Sequence, residues 1–190
     1  MNKYEKIELV RTYGLNTEEN ILIRPSDNLV RMSQFLDGYN KCSVRTFRGD
    51  DVVTPHFPIL RVIDAYIEVS RLIEKNYNVI VATPIDPKDC EFAGCAWLKE
   101  NEMIIELAYG PGTVRRVTHQ NIIDKRYHIN FFNKSLTDDL RVNKAIKQFK
   151  ETGLANVIFE FSYYNKPIGY KKNNLICWEI TDDGYGLSKI

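Results

Sequence analysis

Three glutamates interrupt apolar segments that are typical of β-strands. Glu106 follows the apolar run 103–105, and Glu160 and Glu179 each stand between apolar residues. A carboxylate on a strand needs a cation, a metal ion or water beside it, because an unpaired buried charge is costly. Mg²⁺ prefers carboxylate oxygens together with substrate phosphates. We therefore predict Glu106 and Glu160 as metal ligands. The alternative, which we favour more for Glu179, is that strand alternation turns these side chains towards water.

Arginines form the second group of residues that could bind a nucleotide. Arg45 lies in a predicted strand, and a guanidinium at a strand end can hold two phosphate oxygens at once. Arg115 and Arg116 follow the Gly-Pro-Gly segment 110–112, whose glycines would let the backbone approach a ligand. The sequence thus predicts Arg45, Arg115 and Arg116 as cofactor-binding residues, with ordinary surface charge as the alternative. It singles out no catalytic residue.

Established nucleotide-binding and catalytic motifs are absent from the sequence. There is no Walker A segment, no dinucleotide-binding glycine pattern and no nucleophile elbow. The four cysteines and three histidines lack the spacing of paired metal ligands, which favours buried thiols.

The hydrophobic pattern predicts helices and strands that alternate along the chain. Helices are predicted at 3–11, 29–36 and 59–74, and from a capping pair at Ser135 and Asp138 to Gly153. Strands are predicted at 21–23, 42–48, 78–85, 93–98, 103–108, 113–118, 157–164 and 174–180. The two prolines within 54–58 predict a rigid loop, and 119–134 receives no assignment.

Mixed helices and hairpin-connected strands indicate an α+β fold with a mostly antiparallel sheet and packed helices. We expect one globular domain over 1–190, with a division into a helix-rich lobe (1–75) and a strand-rich lobe (76–190) as the variant. Apolar residues make up 44% and the net charge is +1, which excludes a disordered chain and argues against nucleic acid as a partner. No apolar run approaches the ~20 residues of a membrane span, and no signal-peptide core follows Met1, so we expect a cytoplasmic protein without a membrane partner.

Several of these segments occur in an order that resembles a known family. A strand with Val44-Arg45-Thr46 is followed by a helix and a strand at 79–86, and Ala93-Gly94 leads into the next strand. Ile105-Glu106 then precedes the Gly-Pro-Gly turn, and Phe159-Glu160 precedes a closing hairpin strand at 175–180. Over 42–180 this order resembles the ATP-grasp nucleotide-binding region at the start of phosphoenolpyruvate synthase and pyruvate phosphate dikinase. The chain lacks the family's serines after the arginine, and its closing strand has Cys-Trp-Glu where the family has a glutamine and an Arg-Pro pair.

The resemblance implies a minimal or truncated ATP-grasp module with ATP and Mg²⁺ as cofactors. Such a protein would activate a carboxylate or transfer a phosphoryl group, as a ligase or a phosphotransferase. Arg45 would contact phosphate, and Glu106 and Glu160 would bind the metal. The alternative is a non-catalytic α+β binding or assembly module, of phage or regulatory type, without nucleotide chemistry. The sequence names neither the acceptor substrate nor a protein partner.

Overall fold

The chain divides into two compact units. The computed structural model describes residues 2–49, 54–111, 117, 120–133, 137–182 and 188–189. The first unit comprises Met1–Glu5 and Glu18–Ile85, and the second comprises Lys6–Thr17 and Asp86–Ile190. A helix, α1 (Lys3–Thr12), runs through the first of these boundaries.

The first unit is built on a four-stranded antiparallel sheet. Its strands are β1 (Asn20–Ile23), β2 (Lys41–Phe47), β3 (His56–Arg61) and β4 (Asn78–Ala82), in the order β1-β4-β2-β3. Two helices accompany them, α2 (Val30–Phe35) and α3 (Val62–Glu74). The buried side of α3 carries Ala65, Val69 and Leu72, a spacing that keeps apolar residues on one face of a helix. These residues belong to the core of this unit together with apolar residues of β2 and β4.

The segment before α3 differs from the prediction made from its prolines. Residues 56–61 form β3, so the loop predicted at 54–58 is wrong and the helix begins at Val62 rather than Ile59. Pro58 is accommodated because β3 is an edge strand and its pairing with β2 shifts register beside Ser43. The strand β4 lies inside this sheet, although a division at residue 75 would assign it to the second lobe.

The second unit contains a larger antiparallel sheet of five strands. They are β5 (Cys90–Leu98), β6 (Glu102–Tyr109), β7 (Lys125–Asn130), β9 (Val157–Ile168) and β10 (Asn173–Asp182), in the order β10-β9-β5-β6-β7. Two short strands, β8 (Leu154–Ala155) and β11 (Ser188–Lys189), pair with each other. The unit also contains helix α4 (Leu140–Glu151) and short 3₁₀ helices at Pro87–Asp89 and Phe131–Asn133. All strand pairs described are antiparallel, which confirms the predicted α+β class.

One face of this sheet packs against α4. Phe149 of α4 stacks on Phe159, with ring centroids 4.4 Å apart, and meets Phe161 edge-on at 5.1 Å. The helix begins at an Asp139 cap, whose side chain accepts a hydrogen bond from the Arg141 amide at 2.9 Å. The predicted cap, Ser135, lies outside the described residues. Because α4 covers one face, the opposite face of the sheet is where polar side chains of the strands collect.

The hairpin that joins β9 to β10 is fastened by one buried asparagine. Asn16 Nδ2 donates to the carbonyls of Ile168 at 2.9 Å and Leu175 at 3.0 Å, and its Oδ1 accepts from the Lys171 amide at 2.6 Å. Gly169 lies at the turn with φ +74°, and a Cβ there would come within 2.5 Å of the Thr17 carbonyl oxygen. The closing hairpin strand expected at 175–180 is therefore observed as part of β10, and a segment near the N-terminus holds the hairpin.

No helix among the described residues is long and apolar enough to span a membrane.

Candidate functional site

The pairing of the five-stranded sheet places two predicted metal ligands in one cross-strand row. Cys95 of β5 lies directly opposite Glu160 of β9 on one side and Glu106 of β6 on the other. Glu160 lies opposite Glu179 of β10, and Glu106 lies opposite Arg126 of β7. Directly opposite residues of antiparallel strands project from the same face of a sheet. We call Glu179, Glu160, Cys95, Glu106 and Arg126 the polar row.

The polar row lies on the sheet face that is turned away from the aromatic core. Along β5 and β9, alternate residues such as Phe92, Ala96, Phe159 and Phe161 belong to the core, whereas Cys95 and Glu160 point the other way. The row is nevertheless largely shielded from solvent, since Cys95 is buried and Glu106 and Glu179 keep only 12% and 15% of their side-chain area exposed.

A bulge in β10 brings Glu179 into the polar row. Cys177 pairs with Phe161 and is a core residue, but the next paired position is Glu179 opposite Glu160, so Trp178 is the extra residue. The Trp178 indole donates to the Ser162 hydroxyl at 2.8 Å. Without the bulge, strand alternation would give Glu179 the same orientation as Cys177. Glu179 was expected to face solvent. The structure places it instead in a half-buried position in the polar row.

Cations contact the two outer carboxylates of the polar row. Arg126 Nε donates to Glu106 Oε1 at 2.8 Å, and its Nη2 contacts the same oxygen. At the other end, Lys6 of α1 lies 3.4 Å from Glu179 Oε2. Arg126 is 64% exposed, so solvent screens its ion pair with Glu106 from the side of the cation and the pair contributes little to stability. The effect of the ion pair is to hold the Glu106 carboxylate in one position beside Arg126.

The thiol of Cys95 is buried beside the carboxylates of the polar row. Burial, followed by the charges of Glu160 and Glu106, raises the pKa of Cys95 to about 12. Burial, followed by Glu160 and Glu179, likewise raises the pKa of the Cys177 thiol. Both cysteines are therefore protonated near neutral pH. Since the thiolate is the form that binds metals, the donors that this face offers are carboxylate oxygens.

Carboxylate oxygens suit a hard cation such as Mg²⁺ rather than a thiolate-binding metal. Mg²⁺ in proteins commonly takes one or two carboxylates and completes its coordination with water and substrate phosphates. Glu106 and Glu160 are two such carboxylates, on the strands at either side of Cys95. Within the described part of the chain, no three His, Cys, Asp or Glu side chains are arranged as ligands of a single metal ion. These donors are of the type that Mg²⁺ binds, and Glu106 and Glu160 as its ligands stay a prediction.

The other predicted site residues do not belong to the polar row. Arg45 lies on β2 of the four-stranded sheet, where its Nη2 contacts Glu18 Oε2. Both side chains are largely buried, with 11% of Arg45 and 3% of Glu18 exposed. Arg115 and Arg116 lie outside the described residues. Arg45 therefore belongs to a different sheet from the polar row, and its role in phosphate binding stays a prediction.

Three members of this arrangement were not predicted from the sequence. Arg126 lies in the segment without an assignment, although the alternation of Arg126, Tyr127, His128 and Ile129 is a signal for a short strand. Cys95 and Lys6 carried no signal, because strand register and helix placement cannot be read from composition.

Comparison with family models and with curated proteins finds no match to this chain. Solved structures do match. The chain is similar to the D-alanine-D-alanine ligase of Coxiella burnetii, with a TM-score of 0.58 and 15% identity over 96% of this chain and 47% of the ligase. It is also similar to an ADP complex of N5-carboxyaminoimidazole ribonucleotide synthetase, with a TM-score of 0.56 and 14% identity over 97% and 46% of the two chains.

A third similar structure contains peptides as well as a nucleotide. It is a RiPP-associated ATP-grasp ligase of Chryseobacterium gregarium in complex with ADP and a leader and core peptide, with a TM-score of 0.54 and 10% identity over 96% of this chain and 52% of that one. The chain thus has the ATP-grasp fold and spans about half the length of these proteins. This confirms the ATP-grasp resemblance at the level of fold, and the narrower resemblance to phosphoenolpyruvate synthase and pyruvate phosphate dikinase stays a prediction.

Proposed function

We propose that this chain binds ATP together with Mg²⁺ and uses them to activate a carboxylate or to transfer a phosphoryl group. The observation that carries the proposal is the polar row, in which Glu106 and Glu160 face the same side of the sheet on either side of Cys95. The fold supports it, since ATP-grasp ligases share the architecture and two of the similar structures contain ADP.

Glu106 and Glu160 would hold the metal ion. Bound there with a nucleotide, Mg²⁺ would offset the negative charge of the phosphates. The ion pair with Arg126 orients the Glu106 carboxylate, and Lys6 does the same for Glu179 at the other end of the polar row. The protonated Cys95 thiol separates the two ligands without adding a third negative charge between them.

Arg45, Arg115 and Arg116 are proposed as phosphate-binding residues. The contact with Glu18 holds the guanidinium of Arg45 in one orientation, which limits the side-chain entropy lost when it forms further hydrogen bonds. An arginine can donate to two phosphate oxygens at once, and such charge-assisted hydrogen bonds are stronger than neutral ones.

The reaction would depend mainly on positioning and on electrostatic stabilisation. Phosphoryl transfer gives the protein little covalent chemistry to perform, so oriented cations and carboxylates account for most of the catalysis. For the acceptor we propose a molecule with a carboxylate, in keeping with the ligases and the synthetase that share the fold. A peptide is one such acceptor class, since a similar structure contains a leader and core peptide.

Calorimetric titration of ATP, ADP and GTP, each with and without Mg²⁺, tests the proposal. We expect millimolar or tighter ATP binding that a chelator weakens. A ligand at a hundred times its dissociation constant stabilises the folded state by about 2.7 kcal/mol, so a thermal shift gives an independent readout. The absence of both heat and thermal shift with every nucleotide would refute the proposal and favour the non-catalytic binding module.

A further inference from the structure

The outer face of α3 exposes large apolar side chains in the first unit. Ile63 and Ile67, one helical turn apart, are both 64% exposed, and Ile59 just before the helix is 44% exposed. We call Ile59, Ile63 and Ile67 the isoleucine stripe. Single exposed apolar residues are ordinary, but neighbouring ones, here two on α3 and one at the end of β3, are typical of a surface that binds a partner.

The neighbouring sheet edge does not favour the addition of a strand at this surface. β3 is the edge strand beside α3, and its pairing with β2 is irregular around Pro58 and Ile59. Proline lacks an amide hydrogen, and a bulge twists an edge away from regular pairing, so both features oppose strand addition. The partner of the isoleucine stripe should therefore dock on the helix.

Charges along one side of the isoleucine stripe favour a second copy of the same helix. Asp64 lies before Ile67 and Arg71 after it, two helical turns apart and hence on the same side of α3. If two α3 helices packed antiparallel about a twofold axis near Ile67, Asp64 of each would face Arg71 of the other. Each of these residues already has an exposed partner on its own helix, since Arg61 Nε donates to Asp64 at 2.6 Å and Arg71 Nη2 donates to Glu68 at 2.8 Å.

We propose that the isoleucine stripe is the contact surface of a symmetric homodimer in which two α3 helices pack antiparallel. Symmetric contacts use the same patch on both copies, so Asp64 of each copy meets Arg71 of the other in this arrangement. Ile67 lies nearest the axis and contacts its own equivalent, which makes it the residue whose loss matters most. This proposal is independent of the proposed nucleotide chemistry.

Sedimentation equilibrium of the whole chain tests the proposal. The wild type should be a dimer at tens of micromolar, and Ile67→Asp should raise the dissociation constant by at least about 30-fold, the loss expected for a central interface residue. Ile123→Asp is the matched control, since Ile123 is also exposed but lies in the second unit outside α3. Its dimer should be as stable as that of the wild type.

Charge reversal tests the antiparallel geometry. Asp64→Arg and Arg71→Asp should each weaken self-association, because each places like charges opposite one another across the axis. An equimolar mixture of the two variants should recover the dimer, since every cross-axis pair is then opposite in sign. A monomeric wild type, an Ile67→Asp protein that remains dimeric, or a mixture that fails to associate would each overturn the proposal.

Discussion

Replacing Arg45 with alanine tests two roles of one side chain. Its guanidinium contacts the Glu18 carboxylate, and only 11% and 3% of the two side chains are exposed. Breaking a buried ion pair by removing one partner costs about 3–5 kcal/mol, because the other charge stays buried. We expect Arg45→Ala to lower the free energy of unfolding by about 3 kcal/mol in urea denaturation. We also expect it to weaken ATP binding by about 1.5–3 kcal/mol in calorimetry, through the loss of charge-assisted hydrogen bonds to phosphate.

Two further variants separate these roles. Glu18→Gln breaks the same ion pair and should lower stability, but it leaves the guanidinium in place, so ATP affinity should fall less than in Arg45→Ala. Arg45→Lys restores the charge without the planar fork and should recover part of each loss. ATP affinity unchanged in a folded Arg45→Ala protein would refute the phosphate-binding role. Unchanged stability would refute the reasoning about the buried pair.

Three further predictions concern the elements that support the sheet of the second unit. Asn16→Ala should lower the free energy of unfolding by about 3 kcal/mol, since three side-chain hydrogen bonds worth about 1 kcal/mol each are lost. Faster amide hydrogen exchange in the β9–β10 hairpin would show that the loss of stability is located there. Gly169→Ala should destabilise more than Gly153→Ala in the same urea titration, because both have positive φ but only Gly169 would bring a Cβ within 2.5 Å of a neighbour; equal losses would contradict this. Hydrogen bonding to Arg141 lowers the pKa of Asp139 below 3.8, so its contribution is present above that pH and is lost as the pH falls through the lowered pKa. The stability gap between the wild type and Asp139→Asn, which keeps a good helix cap, should therefore close on acidification, and a gap independent of pH would disprove the charge effect.

The apolar runs around Glu106 and Glu160 were enough to predict both the strands and the residues of interest. A strand that is apolar except for one glutamate has few ways to satisfy that carboxylate, so the residue type itself is informative. Their common row could not be predicted, because it depends on how β5, β6 and β9 align, and a shift of one residue would turn either side chain to the other face.

Local irregularities account for the positions where the sequence misled. Glu179 was expected to face water, but the bulge at Trp178 turns it towards Glu160 in the polar row. Pro58 suggested a loop because proline is excluded from central strands, yet β3 lies at the edge of its sheet, where proline is tolerated. Both outcomes are set by the neighbouring strand rather than by the residues themselves.

The Mg²⁺ dependence of ATP binding in Glu160→Gln is the most direct test of the proposed metal site. The substitution keeps the shape of the side chain and removes its charge, and Glu102→Gln is the matched control on β6, the strand of Glu106. If Glu160 is a metal ligand, Glu160→Gln abolishes the effect of Mg²⁺ on ATP affinity. The melting temperature of the ligand-free variant is then unchanged or higher. In Glu102→Gln, Mg²⁺ affects ATP affinity as it does in the wild type. A clear fall in the melting temperature with the Mg²⁺ dependence intact would instead identify Glu160 as a structural ion-pair partner and contradict the metal site.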